Sequence, residues 1–282
     1  MTKKPKEASV GPWAREKLDA LGQYLDFYTT VLKKQGRWLQ GTIYVDAFAG
    51  PGLARIRTKS KTSEPAGLFD QNRDSAEAEF LKGSPRVALE ITNPFSLYLF
   101  VERDSQRIVE LESIKAEYGD RRQIIVQEAD ANVALKAWLA SGIDWRHHRA
   151  VVFLDPFGMQ VSWFTINALA KTKAIEVIIN FPLGMAIQRL LTRSGEISEG
   201  WRISLDTFFG SQEWRKITYE ECEDLFGPRT SKVGDAGLRI LEWYRIRLRQ
   251  AFGHVSTARL IRNTRGNPLY YLIWAGPHER GV

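Results

Sequence analysis

An open α/β fold with a mostly parallel sheet is what this sequence predicts, on three observations. Short β-branched and aromatic runs alternate with stretches of helical periodicity, the pattern of strands joined by crossover helices. These runs end in order in polar residues: Asp46, Glu102, Asp130, Asp155 and Asn180. Shortly after the first ending comes Gly50-Pro51-Gly52, a turn that lets backbone approach closely.

The elements follow from the N-terminus. Residues 1–12 form a charged, basic lead with no apolar periodicity and are expected to be disordered. From Trp13 to Lys34, Leu18, Leu21, Leu25, Tyr28 and Leu32 recur at three- and four-residue steps, one face of a helix that caps the fold over 13–40. Thr42 to Asp46 reads as a buried strand. Residues 54–82 lose periodicity, and Ser84-Pro85 then suits an N-cap and first helical position for a helix over 85–92. Strands are predicted at 97–102, 123–127, 150–155 and 175–180, with helices over about 104–118, 131–140 and 161–171 between them. Residues 185–234, beginning with a helix to 192, read as an embellishing insertion. A helix over 235–252, a strand over 254–261, a turn at Asn263–Asn267 and a strand over 269–275 complete a terminal hairpin. With no internal repeat or linker signal, 1–282 reads as a single domain.

Composition narrows the function classes. With 44% hydrophobic and 26% charged residues, the chain is an ordinary globular one. No apolar run approaches the ~20 residues that span a bilayer, and no secretory h-region follows the N-terminus, so a cytoplasmic protein without a membrane partner is expected. A lone Cys222 excludes an internal disulfide and a multi-cysteine metal site, and no metal is expected. The net charge of +7 suits a polyanionic partner such as nucleic acid. Arg55, Arg57, Lys59 and Lys61 crowd the stretch after Gly52 and are the candidate contacts to such a substrate. Arg239, Arg245, Arg247 and Arg249 recur on a predicted helix and suit a solvated face better.

In an open α/β sheet the ligand crevice lies beyond the carboxyl ends of the strands. A carboxylate ending the second strand, Glu102, can accept from both hydroxyls of a ribose. Asp130, after the third, can accept from an exocyclic adenine amine or cap the helix behind it. A nicotinamide dinucleotide site is disfavoured: its acidic residue follows Gly-x-Gly-x-x-Gly by ~20 residues, whereas Glu102 lies far beyond Gly52. A Walker loop would need Gly-Lys-Ser/Thr, which is absent from that turn.

Asp46-Ala-Phe-Ala-Gly-Pro-Gly52 resembles motif I of class I methyltransferases, and Asp155-Pro156-Phe157-Gly158 resembles their motif IV. With the Trp13–Tyr24 helix, Gly83-Ser-Pro, Phe-Val-Glu102 and a terminal Leu-Tyr-Tyr-Leu-Ile-Trp, the order is similar to that of the three-Cys-motif partner proteins over residues 13–278. The resemblance implies a Rossmann-like class I methyltransferase fold with seven strands, and S-adenosylmethionine as cofactor. It places the cofactor against Asp46, Phe48, Ala49, Gly50, Gly52, Glu102, Asp130, Ala131 and Asp155, and the chemistry at Asp155, Pro156 and Phe157. It also implies a neighbouring cysteine-motif protein as partner. Asp155-Pro-Phe-Gly has one proline fewer than the Asp/Asn-Pro-Pro-Tyr/Phe of amino methyltransferases, and its aromatic residue comes one place early. That departure speaks against a base amine as the methylated group; with the basic composition, the expected activity is methyl transfer to a nucleic acid or nucleotide-like acceptor. A small-molecule O- or N-methyltransferase and a catalytically idle binding module are the alternatives.

Overall fold

A computed structural model describes residues 9–10, 13–36, 38–56, 80–224 and 227–279. Helix α1 (Trp13–Lys33) precedes β1 (Gly41–Asp46), and α2 (Ser84–Leu89) leads to β2 (Leu97–Glu102). Next come α3 (Ser105–Tyr118), β3 (Ile124–Glu128), α4 (Ala131–Leu139), β4 (His148–Leu154), α5 (Trp163–Lys171) and β5 (Ile175–Phe181). Helices α6 (Glu199–Phe209), α7 (Trp214–Thr218) and α8 (Ala236–Phe252) precede β6 (Arg259–Arg262) and β7 (Pro268–Gly276).

The sheet runs β3-β2-β1-β4-β5-β7, with β6 and a short strand His254–Val255 both pairing to β7. Strands β1 to β5 are mutually parallel and β7 is antiparallel to β5. This order, with its antiparallel final strand, is the Rossmann-like class I methyltransferase fold. The sheet has eight strands where seven were expected, because the last hairpin's first strand is split. Ser256 causes the break: its Oγ accepts from the Trp274 N–H, and its carbonyl accepts from Arg245.

Alternation along the strands sorts side chains into two cores. Ile43, Val45, Val152 and Val177 face α4 to α8, while Tyr44, Phe100, Phe153 and Ile178 face α1 to α3. Tyr44, Tyr98 and Phe100 are wholly buried on that second face, each contributing roughly 1.5–3 kcal/mol of transfer free energy. Leu21 and Leu25 lay the apolar stripe of α1 onto it. The 185–234 segment, expected as an embellishing insertion, supplies core: Leu205, Phe208, Phe209 and Trp214 are buried.

Three further readings are corrected. Within the lead expected to be disordered, Ser9–Val10 pairs in parallel with Arg55–Ile56. Leu53–Ile56 in turn pairs with Phe80–Lys82, giving the aperiodic stretch a rooted hairpin. Ser84 is not the N-cap of α2; Gly83 takes that place, and the Ser84 hydroxyl bonds to Asp46 instead. No described helix is long and apolar enough to cross a membrane.

Candidate functional site

The carboxyl ends of β1 to β5 share one edge, and the strand order reverses between β1 and β4, which is where such sheets open a crevice. The loop after β1 is stitched to both neighbours: Ala47 N–H donates to the Phe153 carbonyl (3.1 Å), and Ala49 N–H to that of Val101 (3.0 Å). Gly50 and Gly52 both adopt left-handed backbone, at φ +63° and +66°. A Cβ on Gly52 would also lie 2.1 Å from Ile114 Cδ1. Gly83 N–H donates to the Gly52 carbonyl at 2.7 Å. Here two backbones touch, so any side chain would force them apart.

One lobe of the crevice, about 410 Å³, is walled by Phe48, Glu102, Arg107, Asp130, Ala131 and Phe157. Glu102 Oε1 accepts from the N–H groups of Arg103 (2.8 Å) and Asp104 (2.9 Å), and Oε2 accepts from Gly50 N–H (3.0 Å). Arg107 lies 3.5 Å from Oε2. Glu102 thus ties β2 to the glycine turn, and its carboxylate sits at the lobe. Asp130 caps α4, with Oδ1 accepting from Asn132 N–H (2.9 Å) and Val133 N–H (3.3 Å). The capping alternative for Asp130 is therefore realised, and the residue also walls the first lobe.

A second lobe, about 200 Å³, shares Phe48 and Phe157 with the first and is lined by Gly50, Gly52, Asp155 and Asn180. Lys17, from α1, donates to Asp155 Oδ2, while Asn180 Nδ2 donates to Oδ1 at 2.6 Å. The Lys17 ammonium also lies 5.7 Å from the Tyr270 ring centre. Asn180 is 5% exposed and its Oδ1 has no hydrogen-bond partner, a buried acceptor facing no donor. Asp46 is wholly buried, and desolvation pushes its carboxyl up to about 7. Hydrogen bonds from Ser84 and Phe48 N–H and the charge of Lys17 oppose that shift, while Asp155 reinforces it. Pro156 is buried, whereas Phe157 is 70% exposed at the rim with the Arg107 guanidinium 5.4 Å from its ring centre. The ring therefore stands at the mouth and does not pack beneath the pocket.

The crevice thus gathers Phe48, Ala49, Gly50, Gly52, Glu102, Asp130, Ala131, Asp155, Pro156 and Phe157, whereas Asp46, expected against the cofactor, is wholly buried and lines neither lobe. Arg57, Lys59 and Lys61 lie outside the described residues, and Arg55 is placed by its backbone alone. Of the arginines of α8, Arg239 and Arg249 are exposed as expected, whereas Arg245 donates to the Ser256 carbonyl and Arg247 packs over Trp163. Sequence reasoning missed Lys17, Ser84 and Tyr270. Lys17 lies beside the apolar stripe of α1, where only the leucines carry a periodic signal.

No family model matches the sequence and no curated protein matches it. Among solved structures, the chain is similar to Legionella pneumophila protein LPL1258, of family model DUF519, at 12% identity and TM-score 0.50, covering 91% of this chain and 82% of that one. Looser likenesses are to the bifunctional kinase-methyltransferase WbdD (11% identity, TM-score 0.42, 98% of this chain and 45% of that one) and to Pyrococcus horikoshii PH0226 (15%, 0.38, 93% and 90%). At such identities the first likeness speaks for the fold, in agreement with the strand order.

Proposed function

We propose that this chain transfers a methyl group from S-adenosylmethionine to a nucleic-acid or nucleotide-like acceptor. The observation that carries the reading is the two-lobed crevice at the sheet's switch point, with a ribose-height carboxylate in one lobe and an unsatisfied buried acceptor in the other. The residues fit the cofactor. Asn180 Oδ1 lacks a donor in the lobe that Asp155 also lines, so the second lobe suits an N–H group that can donate to it. Glu102, Asp130 and Ala131 would hold the adenosine end, and Asn180 the amino-acid end. Bound there, the cofactor supplies an electrophilic methyl on a sulfonium.

The chain's own residues then hold the acceptor. Asp155, gripped by Lys17 and Asn180, is fixed in place and orients the nucleophile, which matters more for attack on a sulfonium than strong base catalysis. The exposed Phe157 ring offers a flat acceptor a stacking surface. The net charge of +7 favours a phosphate-bearing acceptor over a neutral one. A second reading, an idle binding module, is favoured by one feature: the Glu102 oxygens already accept three backbone N–H groups.

Calorimetry with S-adenosylhomocysteine, followed by methyl-transfer assays on total RNA, DNA and small-molecule pools, tests the proposal. Saturable binding with transfer to nucleic acid is expected. Transfer to small molecules alone would reassign the acceptor, binding without transfer would leave the idle module, and no binding would sink both readings.

A further inference from the structure

Across the sheet from the crevice, the amino ends of β4 and β5 open onto another cavity of about 440 Å³. Its walls include Tyr24 and Tyr28 from α1, Trp38, Arg149, Glu176 and His278. Glu176 opens β5 and Asn180 nearly closes it, so the two sites lie roughly 13 Å apart at ~3.3 Å per strand residue. None of these residues serves the crevice.

The cavity is built as a binding site. Glu176 is 7% exposed, and its Oε2 accepts from the Tyr24 hydroxyl and from Trp274 Nε1 at 3.0 Å. Both donors converge on one oxygen, which leaves Oε1 without a protein donor among the described residues. Tyr28 is 6% exposed, and its buried hydroxyl has no partner. The Arg149 guanidinium lies 4.5 Å from the Trp38 ring centre, while its Nη1 donates to the carbonyls of Trp145 and His148. Trp38 itself is 38% exposed. The wall therefore offers aromatic faces, one carboxylate oxygen that accepts, and a hydroxyl and a guanidinium that donate.

We propose that this cavity binds a guanine-type base, a flat ring whose edge carries a carbonyl oxygen beside two N–H donors. The ring lies against the aromatic wall, its N–H groups donate to Glu176, and its carbonyl accepts from Tyr28 or Arg149. Other occupants match less of the wall. An apolar ligand would leave Tyr28 and Glu176 unanswered. A simple organic cation would meet the charge of Arg149. An adenine edge would turn a ring acceptor toward the Glu176 carboxylate. The same edge is presented by a free guanine nucleotide and by a guanine within an RNA strand, and the test separates them.

Binding of guanosine and adenosine 5′-monophosphates, and of short G-containing and A-only oligoribonucleotides, can be followed by calorimetry on the full chain. Guanosine monophosphate should bind saturably and roughly tenfold or more tightly than adenosine monophosphate, as expected of a site built around hydrogen-bond donors. Glu176→Gln and Trp38→Ala should each weaken it by about tenfold. Tighter binding of the G-containing strand than of the mononucleotide would identify a strand as the source; equal binding would identify the nucleotide. Equal affinity for both mononucleotides, or no saturable guanosine monophosphate binding, would overturn the proposal. So would unchanged affinity in the folded Trp38→Ala protein, a variant at a half-exposed ring that keeps the test open should Glu176→Gln fold poorly.

Discussion

The two lobes of the crevice are built in opposite ways. In the first, most polar contacts are between neighbours in the chain: Glu102 accepts from Arg103 and Asp104, and Asp130 from Asn132 and Val133, while the Gly50 N–H reaches Glu102 from the glycine turn. In the second, they answer distant segments. Lys17 reaches Asp155 across 138 positions, Asn180 reaches it across 25, and Tyr270 joins from the last strand. A lobe of local turns depends on its own loop, whereas a lobe of convergent segments depends on α1 and the whole sheet. Substitutions in the first should therefore act on ligand affinity, and substitution of Asp155 in the second on the geometry of reaction.

The largest expected effect tests that division at Asp155. Asp155→Asn should keep S-adenosylhomocysteine affinity within about 1 kcal/mol while turnover falls ~10²-fold or more, because the nucleophile loses its orienting group. Full turnover would end the orienting role, and lost cofactor affinity would move Asp155 to the other lobe's task. Glu102→Ala is the mirror experiment. Removing a charge-assisted acceptor should weaken S-adenosylhomocysteine by roughly 1.5–3 kcal/mol, read by calorimetry. An unchanged Kd in the folded variant would leave Glu102 only its structural bonds to Gly50 and the 103–104 turn.

Asp46 ends β1 wholly buried, bonded to Ser84 and the Phe48 N–H, and gives a smaller effect with a definite sign. Its carboxyl is raised to about 7 by burial, from an ordinary 3.8, so the folded state holds this proton more tightly than the unfolded chain. The resulting stabilisation is present below the ordinary carboxyl range and is lost as pH rises through about 7. Asp46→Asn, which cannot ionise, should gain about 2 kcal/mol relative to wild type between pH 5 and pH 8. Urea denaturation of both proteins at the two pH values measures it; a pH-independent difference would mean that Asp46 is not held neutral by its surroundings.

The same contrast explains what could be read from the sequence. The strand endings at Asp46, Glu102, Asp155 and Asn180 were legible because alternation and glycine turns are local signals. Asp130 was legible as a residue but ambiguous in role, since one short side chain can cap a helix and border a pocket together. Lys17 left no trace, because nothing within α1 announces a carboxylate brought up by β4. The split before β6 was hidden for a similar reason: Ser256 interrupts pairing through a side-chain bond to Trp274, a residue of another strand. The Leu53–Ile56 and Phe80–Lys82 hairpin was too short for alternation to show.

The smallest expected effect concerns how the acceptor reaches the second lobe. Leu53–Ile56 leaves directly from Gly52, and Phe80–Lys82 returns directly into Gly83, while Gly52, Lys82 and Gly83 all line that lobe. The two described strands that flank residues 57–79 therefore end at that lobe, and Arg55 stands on the first of them. Cations there would act by releasing counterions from phosphates, a term set by charge number and screened by salt. Each lost phosphate contact should flatten the dependence of log affinity on log salt by ~0.7 for a single strand and ~0.9 for a duplex. The double substitution Arg57→Gln with Lys59→Gln should thus lower the slope by roughly 1.5 and weaken binding only several-fold at physiological salt. S-adenosylhomocysteine affinity should stay unchanged, since the counterion term acts on a phosphate-bearing acceptor and not on the cofactor. A slope indifferent to both substitutions would take the basic stretch out of substrate binding and turn attention to a small-molecule acceptor, which needs no such strip.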